Sequence, residues 1–134
     1  MRKSILIAFV AATMLNTPLY AERKTIDLHD YDDDLMRDLD KTIKYFEPDI
    51  TAGNAQSALD DAAVLQDGFK YTEDYFAKKG GADDAVTISR QGQEALAAAV
   101  KLVADSNFEG AAAAARQTAQ TCRSCHDIYK PLTK

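Results

Sequence analysis

Cys122, Cys125 and His126 stand together in the stretch TCRSCHDIY, and the chain has no other cysteine. On a helix, positions three and four apart share a face. Two thiols and an imidazole would therefore project to one side. That is what covalent haem attachment requires: each thiol adds to one vinyl group of the porphyrin, and the adjacent histidine reaches the iron. Three other chemistries use such residues. A thioredoxin-like C-x-x-C site follows a strand at the start of a helix, and no such strand is legible here. A zinc site takes four ligands as a rule, and His29 is far from the other candidates in sequence. A disulfide between positions three apart would strain a regular helix. The spacing favours haem c, with a haem-free thiol oxidoreductase as the reading from a different class.

The elements that must position these side chains read as helices throughout. The first is expected over about Asp27–Glu47, where Leu28, Leu35, Leu39 and Phe46 recur at helical spacing. Aspartates crowd its start, which suits the helix dipole, and Pro48 is expected to end it. The second covers about Asn54–Lys79, with Asn54 as N-cap and Gly68 as a candidate kink. Its apolar stripe is Ala55, Leu59, Ala62, Leu65, Phe69 and Phe76. The linker KKGGADD separates it from a third helix over about Asp83–Ala104. The fourth runs over Asn107–Tyr129, opened by a Ser106/Glu109 capping box and stopped by Pro131. Phe108, Ala111, Ala115, Ala119, Cys122, His126 and Tyr129 follow one stripe along it. The Ala111–Ala115 run either lets neighbours approach closely or leaves room for something large. Phe46, Phe69, Tyr75, Phe76 and Phe108 could line a haem, but at helical spacing they read more simply as core. Four amphipathic helices joined by short turns make an all-α, antiparallel four-helix bundle.

The chain of 134 residues suits one domain. Its start reads differently from the rest: Arg2 and Lys3, then an apolar run over Ile5–Leu15, then Pro18 and a small residue at Ala21. That is a secretory signal peptide, residues 1–21, cleaved to leave a domain at 22–134. The apolar run is short for a bilayer span. Removing it takes the formal net charge from −5 to −7. Such acidity argues against nucleic acid and anionic membrane. It favours protein partners with a basic docking face. An exported protein without stable membrane insertion is expected, in the periplasm.

An exported four-helix chain with C-x-x-C-H-D-x-Y-K at its C-terminus resembles the class II c-type cytochromes: the cytochrome c′ group and its low-spin, methionine-ligated relatives. The resemblance covers the mature chain in architecture and is motif-specific over Cys122–Lys130. It implies one covalent haem c on Cys122 and Cys125, with His126 as the proximal iron ligand. Tyr129 matches the aromatic that follows the motif. Lys130 stands where the family often has arginine; it keeps the charge but loses the planar fork. Homodimerisation is a further trait of the family.

The sixth iron position decides the function. Met1 and Met14 leave with the signal peptide, so Met36 is the sole methionine of the mature chain. His29 is the other candidate, about 10 Å from Met36 along a helix, and one iron cannot take both. His29 reads as solvated among aspartates. The resemblance implies that the residue over the open haem face comes from the first helix: methionine in the low-spin branch, commonly leucine in cytochrome c′. Met36 falls about there, although methionine also fills irregular core gaps. The expectation is a one-electron carrier with His/Met-ligated iron and no acid, base or nucleophile at work. A five-coordinate haem protein that binds nitric oxide or carbon monoxide is the alternative.

Overall fold

The computed structural model describes residues 23–129. The expected signal peptide, Lys130 and Pro131 lie outside them. Four helices follow in order: α1 (Asp33–Thr51), α2 (Ala55–Lys79), α3 (Asp83–Ala104) and α4 (Phe108–Tyr129). Helix α1 packs on α2, α2 on α3 and α3 on α4, and α4 closes on α1. With short turns between them, sequential helices run antiparallel, as the four apolar stripes predict.

Both ends of α1 differ from the sequence expectation. It starts at Asp33 rather than Asp27, because the Asp32 side chain accepts from the Leu35 N–H at 2.9 Å and caps the first turn. Ahead of it, Tyr31 N–H donates to the Leu28 carbonyl in a separate turn. Pro48 does not end the helix; it lies inside it. Proline removes one donor near the end of a helix. The next turn is held by Ile50, which is fully buried beside Phe46.

Three further expectations change. Asn54 makes no side-chain cap to α2; its amide donates to Asp49 instead. Gly68 neither kinks nor breaks α2. It admits the Leu39 side chain of α1, which lies 2.2 Å from where a Cβ would sit. The cap of α4 is Asn107, whose Oδ1 accepts from Gly110 N–H at 3.0 Å, and not a Ser106/Glu109 box. Ser106 has a positive φ of 57°, so its side chain is turned out of the capping position. The KKGG turn is as expected: Gly80 and Gly81 both have positive φ.

The main core joins Phe46, Ile50, Leu65, Phe69, Leu96 and Val103 to six alanines, including Ala111, Ala112 and Ala115. The alanine run of α4 therefore serves close packing. Leu59, placed in the apolar stripe of α2, is 36% exposed, and Ala58 takes the buried position.

Candidate functional site

Cys122, Cys125 and His126 occupy the last two turns of α4, all half-buried. They line one cleft with Met36 and Leu39 of α1, Leu65 and Phe69 of α2, and Ile88 of α3. The structure thus brings the four sequence-predicted site residues together. The cleft encloses about 40 Å³, well short of a cofactor pocket of about 300–1,000 Å³, so its walls would have to part to admit one. His29 is not part of this cleft but lines the adjoining cavity with Met36, Cys125 and His126; its side chain is 78% exposed and its Nδ1 lies 2.7 Å from Asp27.

Asp40, Thr72, Ser89 and Thr121 are polar residues of the walls that escaped the sequence reading. Thr72 and Ser89 are buried, and both line the cleft. Each hydroxyl donates to its own helix, to the Gly68 and Ala85 carbonyls, both at 2.8 Å. Their polar atoms are satisfied, so they leave the wall small and largely apolar. The signal was there: both interrupt otherwise apolar stripes at 65–69–72–76 and 85–89–92–96. Thr72 also bonds Tyr31 at 2.7 Å. Because the Thr72 proton goes to Gly68, Tyr31 is the donor of that pair. Burial pushes the Tyr31 hydroxyl up to about 12. Phe69 is both core and cleft wall.

The thiols sit in a setting that keeps them protonated. Burial pushes Cys122 up to about 11, and the Asp40 charge adds to it. Burial pushes Cys125 up to about 12, with charges at Cys122 and Asp84 adding. An attacking thiol of the oxidoreductase kind needs the opposite, a lowered pKa. Among the described residues no three His, Cys, Asp or Glu gather to hold a metal ion. No helix among them is long and apolar enough to cross a membrane.

Two neutral thiols and an imidazole share a wall, and a thioether and aliphatic side chains stand among the others. Compared with known protein families, with curated proteins and with solved structures, the chain finds no match.

Proposed function

We propose that the chain is a monohaem c-type cytochrome of the class II kind, a periplasmic one-electron carrier. The observation that carries the reading is the meeting of Cys122, Cys125 and His126 from α4 with Met36 from α1 at one apolar cleft. When bound, a haem supplies a ferric/ferrous couple. The residues of the chain do the rest. The sulfurs of Cys122 and Cys125 would hold it through two thioethers, each S–H adding across one vinyl group. His126 would offer an imidazole nitrogen to the iron, and Met36 a thioether sulfur. Leu39, Leu65, Phe69 and Ile88 exclude water, and burial with the axial ligands sets the potential. The acidic surface suits a redox partner with a basic docking face.

One observation favours the gas-binding alternative. Leu39 lines the same cleft one turn from Met36, so an apolar side chain is also at hand to cover an open sixth position. The absorption spectrum of both oxidation states, with and without carbon monoxide, separates the two. A carrier with Met36 on the iron gives low-spin spectra and slow or weak carbon monoxide binding. A high-spin ferrous spectrum that shifts at once with the gas makes the alternative the better reading. The thiol oxidoreductase reading loses support from the buried, protonated thiols.

A further inference from the structure

The first described residues belong to no helix, yet they are fastened across the end of the bundle. Lys24 N–H donates to the Ile128 carbonyl at 3.1 Å, one of the carbonyls that the last turn of α4 leaves without an intrahelical partner. Lys24 Nζ lies 2.6 Å from Asp84. The Tyr129 hydroxyl donates to the other oxygen of the same carboxylate, and the Lys24 ammonium stands 5.9 Å over the Tyr129 ring. Asp84 of α3 therefore fastens this arm and the end of α4 together. Ile26 and Leu28 pack beside Phe76, Ala82, Ala85 and Tyr129.

The other end of the arm is held differently. Asp30 accepts from Lys79 Nζ at 2.9 Å and from the Tyr75 hydroxyl at 2.6 Å. The Tyr31 ring packs edge-on against Tyr71 and Tyr75, with centroids 5.4 and 4.8 Å away. Between the two fastenings the arm forms a wall: Lys24, Ile26, Leu28 and Tyr31 face a cavity shared with Met36, Cys125 and His126. It is the one non-helical wall of that cavity among the described residues.

We infer that Lys24–Tyr31 is a strap, hinged at Asp30 and Tyr31 and latched at Lys24, that closes the cleft and sets how fast small molecules reach Cys125 and His126. The two ends are unequal. The hinge has aromatic packing and a part-buried hydrogen bond to Thr72. The latch has one backbone hydrogen bond, to Ile128, and an ion pair whose side chains are 49% and 35% exposed, and exposed pairs hold weakly. The strap opens from the Lys24 end. This concerns the approach to the cleft and is independent of the haem reading.

The test is alkylation of Cys125 by iodoacetamide in the full chain carrying free thiols, native against Lys24→Gln. Iodoacetamide takes the thiolate, so losing a nearby positive charge would by itself slow the reaction. Asp84→Asn would confound this arm, because the Asp84 charge raises the Cys125 pKa. Lys24→Gln should speed alkylation about two- to fivefold, the opening expected from losing one exposed ion pair. The rate should rise only weakly with urea, because the strap exposes little surface. In the same chain, tryptic cleavage after Lys24 should speed by a similar factor in Asp84→Asn. Equal rates in native and variant chains would overturn the strap, as would a urea dependence as steep as that of global unfolding.

Discussion

Cys122 and Cys125 differ from reactive cysteines in one physical respect: both are buried enough to stay protonated at neutral pH. A neutral thiol beside an apolar cleft is suited to a permanent bond with an apolar partner, not to rapid exchange. Cys125→Ala and Cys122→Ala should each leave at most one thioether and sharply reduce the yield of holoprotein, read by mass and by the haem absorbance of denatured chain. Met36 lines the same cleft from α1. Met36→Leu should give a high-spin, five-coordinate iron, lower the reduction potential and open the site to carbon monoxide. The potential falls because a methionine ligand favours the reduced iron. His29→Ala should change none of these, since that imidazole points into solvent against Asp27. A native protein that is already high-spin, with a spectrum unaltered by Met36→Leu, would move the reading to gas binding.

At the scale of elements, small residues make the room that the cleft needs. A Cβ on Gly92 would sit 2.3 Å from the Phe69 ring, and one on Gly68 would meet the Leu39 methyls at 2.2 Å. Phe69 is a stiff ring on the cleft wall, whereas Leu39 can turn its flexible end away. Gly92→Ala should therefore destabilise the chain by about 1–3 kcal/mol, the usual cost of overpacking, and Gly68→Ala by less; denaturant midpoints check both. Asn107→Ala should cost about 1 kcal/mol, as loss of a helix cap does, while Ser106→Ala should cost little. The four helices were legible because apolar periodicity and glycine turns depend on neighbours close in sequence. The ends of α1 were not. Pro48 argued for a stop, and only the burial of Ile50 in the folded core explains why the helix runs past it. The C-x-x-C-H face was legible for the same local reason. The Thr72–Tyr31 bond and the Lys24–Asp84 latch of the strap were not, since those partners stand 41 and 60 positions apart.

For the whole molecule, the fastenings at the cleft end make stability depend on acid. Lys79 and Tyr75 hold Asp30 at about 2, below its ordinary 3.8. Burial pushes Asp84 up, and the Lys24 and Tyr129 hydrogen bonds more than offset this, leaving it below 3.8. A carboxylate held low binds fewer protons folded than unfolded. Its contribution is whole above 3.8 and is lost as pH falls through the folded value, near 2 for Asp30. Asp61 acts in the opposite sense, raised by burial and then by the Asp49 and Asp60 charges. Denaturant midpoints should fall as pH drops below about 4, with a shallower fall in Asp30→Asn; an identical slope in that variant would remove Asp30 from the account. The cleft itself carries the larger consequence. If an apolar ring fills it, the chain without haem should be less helical and melt at a lower temperature than the loaded protein, and equal values would contradict that. The most direct measurement is the intact mass of the protein exported from cells that carry the haem-attachment machinery. The account predicts the mass of a chain cut near Ala21 plus one haem, retained after denaturation. A mass equal to that of the chain alone would contradict it.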